Sequence, residues 1–179
     1  TAALLDAGAE VFAIERDPRL FAHLRATLGA THPARLHLAE GDAVEQHLAG
    51  LSLAEAANGP FKIVANLPYA ISSPWMEAVL AGPLPTRMVL MLQLEAAQRY
   101  TAPPGSKSFG AISVFLQAAY DPGRGHRVSR TCFFPVPEVD SALLNLERKR
   151  EPYVFSTRAR ELVRTLLQQP RKQVLSLVG

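Results

Sequence analysis

The sequence predicts an α/β fold in which helices cover a mostly parallel, doubly wound sheet. Short apolar runs at 10–15, 35–40 and 63–66 alternate with stretches of helical periodicity. A polar side chain ends or follows each run, at Glu15, Asp42 and Asn66. Because open α/β sheets bind ligands at the carboxyl ends of their strands, we expect these three side chains to share one edge.

The composition is that of an ordinary globular protein. The chain has 179 residues, 48% hydrophobic and 20% charged, which is enough for one domain with a core and part of a second. No apolar run is long enough to span a membrane, so we expect no membrane association. The one cysteine, Cys132, excludes an internal disulfide and favours a reducing cytoplasm. The five histidines lack the spacing of metal ligands, and no metal is predicted.

The charge is unevenly distributed. Residues 1–90 carry six Lys/Arg against nine Asp/Glu, a net −3, whereas residues 91–179 carry thirteen against seven, a net +6. An acidic first half with a basic second half suggests a polyanionic partner. Basic side chains on an ordinary solvated surface are the alternative.

The first elements are a helix, a strand and a second helix. Residues 1–8 read as a short helix that ends at Gly8, and a helix in this position leads us to expect a preceding strand and turn. Asp17-Pro18 caps a helix that runs to about Leu28. Glu15, at the end of the strand before it, can bind both ribose hydroxyls of an adenosine cofactor. Acidic residues are also common at strand ends without such a role.

The third strand, 35–40, leads into Gly41-Asp42-Ala43. Gly41 lets the backbone approach a ligand closely, and the Asp42 carboxylate can accept a hydrogen bond from an adenine amino group. An Ala/Leu-rich stretch from Val44 to Ala57 predicts a helix, followed by a turn at 58–60.

The chain then forms a rigid corner at Asn66-Leu67-Pro68-Tyr69. Pro68 ends the strand and fixes the turn, and Ser73-Pro74 predicts a helix start with Ser73 as N-cap. The Asn66 side chain and a free carbonyl can accept hydrogen bonds from one –NH2 group, and Tyr69 offers a face for a flipped base. This arrangement suits methyl transfer to an exocyclic amine. The alternative is a purely structural role, with the Asn in a turn and the Tyr packed on the core.

The second half continues the alternation. We expect helices from 74 to 82, 94 to 100 and 109 to 120, a strand at 87–93 and a loop at 102–108 that is a surface connection rather than a gate. Two prolines hold an extended loop after Phe133 and Phe134, and a strand follows at 142–146. Phe133 is either the second wall of a base-stacking slot opposite Tyr69 or a core side chain.

The last segment has a different pattern. A helix at about 157–169 has apolar residues on one side, with Arg158, Arg160 and Arg164 on the other. Pro170 breaks it, and an apolar helix begins at 173. We expect one domain over 1–150 and the opening of a truncated helical domain over 151–179.

These motifs resemble those of the ribosomal RNA adenine dimethyltransferases, above all the bacterial branch that dimethylates two adjacent adenines in a hairpin near the 3′ end of small-subunit rRNA. The matching stretches, in order along nearly the whole chain, are 11–17, Gly41-Asp42-Ala43, Asn66-Leu67-Pro68-Tyr69 with Ile71-Ser72-Ser73-Pro74, and Phe133-x-Pro135-x-Pro137-x-Val139-Asp140-Ser141-Ala142. The last two blocks are highly specific.

The resemblance implies a Rossmann-like class I methyltransferase fold with S-adenosylmethionine as cofactor. It also implies that 1–150 is a catalytic domain and that 151–179 opens an RNA-binding domain. Glu15, with Arg16 beside it, would bind the ribose, and Asp42 with the Ala43 backbone would bind the adenine of the cofactor. Asn66 would also contact the cofactor. Together with the Leu67 and Pro68 carbonyls it would hold the target N6, between the rings of Tyr69 and Phe133. The implied partner is 16S rRNA in a small ribosomal subunit precursor, with the protein acting as a monomer. The family's Gly-x-Gly-x-Gly turn would precede residue 1.

Three other readings compete. The antibiotic-resistance branch methylates a large-subunit rRNA adenine, but it more often has Ile in the place of Leu67. A catalytically silent ribosome-assembly factor would not need the carboxylates of Glu15 and Asp42. A dinucleotide-dependent dehydrogenase has no use for the Asn66–Tyr69 corner.

Overall fold

The computed structural model describes residues 1–168, which form two compact units, 1–59 and the chain from 60 onward. The α/β class is confirmed. The first unit contains α1 (Ala2–Asp6), β1 (Val11–Glu15), α2 (Pro18–Leu24) with a π-helical extension (Arg25–Gly29), β2 (Leu36–Glu40) and α3 (Leu53–Asn58). β1 and β2 pair in parallel, and Leu5, Val11 and Leu36 form the small core beneath them.

The predicted helix signals of the first unit are confirmed. Gly8 has φ +87°, a left-handed conformation that glycine tolerates and that ends α1. The Asp17 carboxylate accepts hydrogen bonds from the backbone N–H groups of Arg19 and Leu20, and Pro18 is the first residue of α2.

The long helix predicted from Val44 to Ala57 is wrong in its first half. Residues 43–50 form turns, and α3 begins only after Ser52. Ala49 and Gly50 both have positive φ, which a helix does not allow. The start is instead a capping box, in which Ser52 and Glu55 satisfy each other's backbone N–H groups. The Ala/Leu composition alone did not reveal it.

The second unit contains most of the core. Its elements are β3 (Lys62–Asn66), a 3-10 turn (Tyr69–Ile71), α4 (Ser72–Val79), β4 (Arg87–Gln93), α5 (Leu94–Tyr100), α6 (Ala111–Ala119), β5 (Tyr120–Pro122), β6 (His126–Val128), a 3-10 turn (Arg130–Cys132), β7 (Ser141–Arg148) and α7 (Thr157–Gln168). The strand predicted at 87–93 and the helix predicted at 94–100 are confirmed at their bounds.

β4 is the centre of the second sheet. It pairs in parallel with β3 and antiparallel with β7, and β5 and β6 pair with the far edge of β7. Met88, Leu90 and Leu92 alternate along its fully buried face. Among residues 1–168 no strand pairs with both β1 and β3. The single edge predicted for Glu15, Asp42 and Asn66 therefore stays a prediction.

The predicted N-cap at Ser73 is wrong. The 3-10 turn runs directly into α4, whose N-cap position is Ile71. Ser72 is buried and its hydroxyl donates to the Tyr69 carbonyl at 3.1 Å. The Ser73 hydroxyl instead accepts a hydrogen bond from the Arg99 guanidinium at 2.8 Å. The turn satisfies the backbone groups that a cap would otherwise have satisfied.

The last helix, predicted at about 157–169, is observed as α7, and its packed face includes arginines. Arg160 is only 7% exposed, whereas Leu162 is 44% exposed. The Arg160 guanidinium donates to the Glu77 carbonyl at 3.1 Å and lies 5.0 Å from the centre of the Phe115 ring, and Arg164 pairs with the Glu77 carboxylate at 2.6 Å. Because cation–π contacts hold α7 in place, two arginines lie on its packed face. The breaks and helix predicted from Pro170 onward lie outside the described residues.

Replacing Arg160 by Ala tests this packing. We expect Arg160→Ala to lower the free energy of unfolding by about 2 kcal/mol, because it removes a charge-assisted hydrogen bond and a cation–π contact. Arg158, which is exposed on the same helix, is the matched control. Equal effects of Arg160→Ala and Arg158→Ala in urea denaturation would show that α7 does not pack through Arg160.

Candidate functional site

The carboxyl ends of β1 and β2 bring two predicted cofactor residues, Glu15 and Asp42, to one edge. Glu15 lies opposite Glu40 in the parallel register, and the Gly41 N–H donates to the Glu15 carbonyl at 3.1 Å. One Glu15 carboxylate oxygen accepts a hydrogen bond from the Asp17 N–H at 2.8 Å. This bond fixes the side chain and leaves its second oxygen for a ligand hydroxyl.

Asp42 is held close to the same edge. Its carboxylate accepts a hydrogen bond from the Val44 N–H at 2.8 Å, and the Arg16 guanidinium lies 3.5 Å from its other oxygen. The Arg16 side chain is largely exposed, so this pair adds little stability and a ligand can displace it. Ala43 follows with its backbone partly accessible. The first unit therefore brings together the four residues that were predicted to bind the cofactor alone, Glu15, Arg16, Asp42 and Ala43.

The corner at Asn66 has the predicted form. Asn66 is the last residue of β3, lies opposite Met91 of β4 and is exposed. Leu67 is buried, and its N–H donates to the Met91 carbonyl at 3.4 Å. The Leu67 side chain thus anchors the corner in the core, while the Asn66 amide projects from the strand end into solvent.

The Pro68 carbonyl is already engaged. It accepts a hydrogen bond from the Ile71 N–H at 3.1 Å, which closes the 3-10 turn. A carbonyl oxygen has two lone pairs, so one remains for a ligand amine. Both carbonyls predicted to hold the target nitrogen, those of Leu67 and Pro68, belong to this fixed corner.

Tyr69 is held by a contact that the sequence did not suggest. Its hydroxyl is 2.8 Å from the Ser141 hydroxyl, and Ser141 is completely buried at the start of β7. The bond joins segments 72 residues apart. Since the hydroxyl is fixed at one end and the backbone at the other, the ring keeps one orientation. Ser141 belongs to the Phe133–Ala142 motif, and that was the only sequence signal for it.

Sheet register brings the two motif segments to the same end of β4. Asn66 pairs with Met91 on one side of β4, and Ser141 pairs with Gln93 on the other. Neighbouring strands lie about 4.8 Å apart, so the end of β3 and the start of β7 are roughly 10 Å from each other. β4 fills the interval between them within the sheet, so the two motif segments leave the sheet at the same end, one on each side of β4.

The loop between Phe133 and Ser141 is tied down at its base. The Asp140 carboxylate accepts hydrogen bonds from the Arg127 Nε and from the Arg130 N–H, both at 2.9 Å, and the Asp140 carbonyl accepts from the Leu94 N–H at 3.0 Å. Phe133 is half-buried, and its N–H donates to the Arg130 carbonyl at 3.2 Å. The loop therefore leaves the sheet from a fixed base beside Tyr69.

The Arg130 N–H and the Arg127 guanidinium, in that order of effect, lower the pKa of Asp140. A carboxyl group with a lowered pKa stabilises the folded protein above its ordinary pKa. That stabilisation is lost as the pH falls through the lowered value. At neutral pH the base of the loop is fully ionised and fully bonded.

The rings of Tyr69 and Phe133 do not stack on each other; the ring–ring contacts within residues 1–168 are Phe12 with His37, Phe115 with Phe155, and Tyr153 with Phe155. Two walls of an open slot are not expected to touch. The slot itself stays a prediction. In the described part of the chain, no group of three or more His, Cys, Asp or Glu residues is placed to hold a metal ion.

A shallow cleft of about 350 Å³ lies beside the loop. It is lined by residues of α5 and of the loop base: Leu94, Glu95, Gln98, Arg130, Glu138, Val139 and Asp140. None of the predicted site residues lines it. We place the candidate site at the Asn66 corner because the corner, unlike this cleft, combines an exposed amide, a carbonyl with a free lone pair and a fixed ring.

Comparison with known proteins identifies the family. A sequence model of the family described as Ribosomal RNA adenine dimethylase matches residues 1–178. The chain belongs to this family. None of the described helices combines the length and the apolar character needed to cross a bilayer.

Individual members of the family and its structural neighbours agree. The protein named Ribosomal RNA small subunit methyltransferase A of Opitutus terrae is 62% identical over 178 residues, which cover 99% of this chain and 64% of that protein. A dimethyladenosine transferase from Plasmodium falciparum has a TM-score of 0.74 at 25% identity, over 92% of this chain and 57% of that chain. The 23S rRNA methyltransferase ErmE has a TM-score of 0.65 at 26% identity, over 90% and 62%. The chain thus spans slightly less than two thirds of these proteins.

The hydroxyl pair at Tyr69 and Ser141 is testable by a double-mutant cycle. We expect Tyr69→Phe and Ser141→Ala each to lower the free energy of unfolding by about 1 kcal/mol. Each substitution removes the hydrogen bond and leaves the remaining hydroxyl without its partner. The double variant should lose clearly less than the sum of the two. Tyr153→Phe combined with Ser141→Ala is the control and should be additive. Additivity in the Tyr69–Ser141 cycle would mean that the two hydroxyls do not interact.

Proposed function

We propose that the protein containing this chain transfers methyl groups from S-adenosylmethionine to N6 of two adjacent adenines in a hairpin near the 3′ end of 16S rRNA. The observation that carries the proposal is the sheet register that brings the Asn66 corner and the Phe133–Ser141 loop to the same end of β4. Membership of the ribosomal RNA adenine dimethylase family gives independent support.

The residues of the first unit suit the cofactor. A free Glu15 carboxylate oxygen matches ribose hydroxyls, and the Asp42 carboxylate matches the adenine amino group, with the Arg16 side chain displaced and the Ala43 backbone beside it. S-adenosylmethionine supplies an already activated methyl group. The chain's own residues therefore need to bind and orient, and neither a metal nor a general base is required.

The corner would position the target nitrogen. The Asn66 side-chain oxygen and the Leu67 or Pro68 carbonyl accept hydrogen bonds from the two N–H bonds of the adenine amino group. Both acceptors would stabilise the positive charge that develops on nitrogen as the bond to the methyl carbon forms and the carbon–sulfur bond of the sulfonium donor breaks. The donor would leave as a neutral thioether, and the nitrogen would then lose one proton to water. Tyr69 and Phe133 would hold the flipped base by stacking on its two faces. Because the Ser141 hydroxyl fixes the Tyr69 ring, little entropy is lost when the base enters.

The small-subunit assignment is favoured over the large-subunit branch. Leu67 and the Ile71-Ser72-Ser73-Pro74 continuation fit it, and the Opitutus terrae relative has the small subunit in its name. The ErmE structure shares the fold with a lower TM-score than the dimethyladenosine transferase does. The partner would be a small ribosomal subunit precursor, on which the protein acts as a monomer in the cytoplasm. Residues 1–150 would form the catalytic domain, and 151–179 would open a helical RNA-binding domain.

Asn66→Ala is the direct test. In the full-length protein, with labelled S-adenosylmethionine and unmethylated small subunits, we expect the variant to lose methyl transfer by about 100-fold or more, because a hydrogen bond made to developing charge is removed. RNA binding should change little. Asn58→Ala is the control, since Asn58 is exposed at the end of α3.

Two outcomes would contradict the proposal. Label in large-subunit rRNA would reassign the protein to the other branch. Tight RNA binding by the wild-type protein without any label would favour a silent assembly factor.

A further inference from the structure

Phe134 is an unusual surface residue. Its side chain is 100% exposed, and Val136, two residues further along the same loop, is 56% exposed. Burial of a Phe side chain stabilises a folded protein, and a ring that lies entirely in water makes no such contribution. Phe134 is the variable position of the Phe133-x-Pro135 motif, and the proposed reaction assigns it no role.

The backbone conformation explains why the adjacent side chains of Phe133 and Phe134 differ in solvent exposure. Phe133 is extended, with φ −118° and ψ 151°. Successive side chains of an extended chain point to opposite sides. Phe133 is therefore half-buried against the body of the unit, whereas Phe134 faces solvent. The two rings are placed to contact two different groups.

The loop that presents Phe134 is preorganised. Pro135 and Pro137 restrict its backbone, and Asp140 ties its base to Arg127 and Arg130. A ligand that contacts the tip therefore does not have to order the loop first, which preserves affinity.

The chain segment that contains Phe134 is basic. Residues 122–137 contain three arginines, one histidine and no Asp or Glu. The Arg127 side chain is 70% exposed and uses only its Nε and one terminal nitrogen on Asp140, so other donors remain free. Arg124 is exposed at the break between β5 and β6, where the Gly123 N–H bonds to the Asn145 carbonyl at 2.8 Å.

We propose that Arg124, Arg127, Arg130, Phe134 and Val136, here called the arginine–phenylalanine surface, form an RNA contact in which the Phe134 ring stacks on a nucleobase next to the target adenine. The inference rests on the proposed function and deepens it. Arginines beside an exposed ring match single-stranded RNA, since the cations contact phosphates and the ring contacts a base of any sequence.

The neighbouring cleft is a poorer RNA site. It carries the carboxylates of Glu95, Glu138 and Asp140, and its one arginine, Arg130, is shared with the arginine–phenylalanine surface. The interior of the cleft would therefore repel phosphates. Arginines and aromatic rings are also common in protein–protein interfaces, and the experiment below distinguishes a protein partner from RNA. Charge therefore assigns the RNA to the arginine–phenylalanine surface.

The experiment measures binding of a labelled hairpin RNA with two adjacent adenines to the full-length protein by fluorescence anisotropy. We expect Phe134→Ala to weaken binding about tenfold, within the range for loss of one stacked base. Phe134→Leu, apolar but not aromatic, should weaken it similarly, and Phe134→Trp should bind like the wild type. Leu53→Ala, at another exposed apolar side chain, is the control and should change nothing. All four variants should keep the wild-type melting temperature.

Three results would overturn the inference. Unchanged affinity of Phe134→Ala would show that the ring does not contact RNA. Wild-type affinity of Phe134→Leu would show apolar packing rather than stacking. A loss confined to assembled small subunits, with the free hairpin bound normally, would assign the surface to a ribosomal protein.

Methyl incorporation by the wild-type protein separates the two proposals. A protein that binds the hairpin through Phe134 but transfers no methyl group refutes the proposed function and keeps the RNA contact. If the wild-type protein methylates the RNA and Phe134→Ala binds the hairpin with unchanged affinity, only the RNA contact is refuted.

Discussion

The hydrogen bond between the Tyr69 and Ser141 hydroxyls, 2.8 Å long, connects the two motifs on which the site depends. One motif turns the chain after β3, and the other leads into β7. Neither motif defines a binding site alone, because an Asn at a strand end and a Phe on a loop are both common. Their connection across β4 fixes the Tyr69 ring beside the backbone of the Asn66 corner.

β4 makes this connection possible. It has β3 on one side and β7 on the other, with buried Met88, Leu90 and Leu92 holding it in the core. Backbone bonds from Leu67 to Met91 and from Leu94 to Asp140 attach both motif segments to its carboxyl end. A central strand with two fixed neighbours is a rigid element, and it holds the functional groups on the adjoining loops in place.

Much of this could be predicted from the sequence. Asp17-Pro18 fixed one helix start, and the apolar run at 87–93 fixed the bounds of β4, because caps and buried strands have local signals. The failures have a different cause. Ser73 is not an N-cap because a 3-10 turn runs directly into α4, and nothing in the sequence indicated that Arg160 would contact Phe115 and Glu77. The partner of Tyr69 was likewise set by sheet register, and tertiary contacts of this kind leave no local pattern.

The most direct measurement is a structure of the full-length protein with hairpin RNA and a non-reactive analogue of S-adenosylmethionine. The account predicts an adenine turned out of the RNA, with its N6 within hydrogen-bonding distance of the Asn66 side-chain oxygen and its ring between Tyr69 and Phe133. An adenine bound elsewhere, or an Asn66 amide turned away from it, would contradict the account.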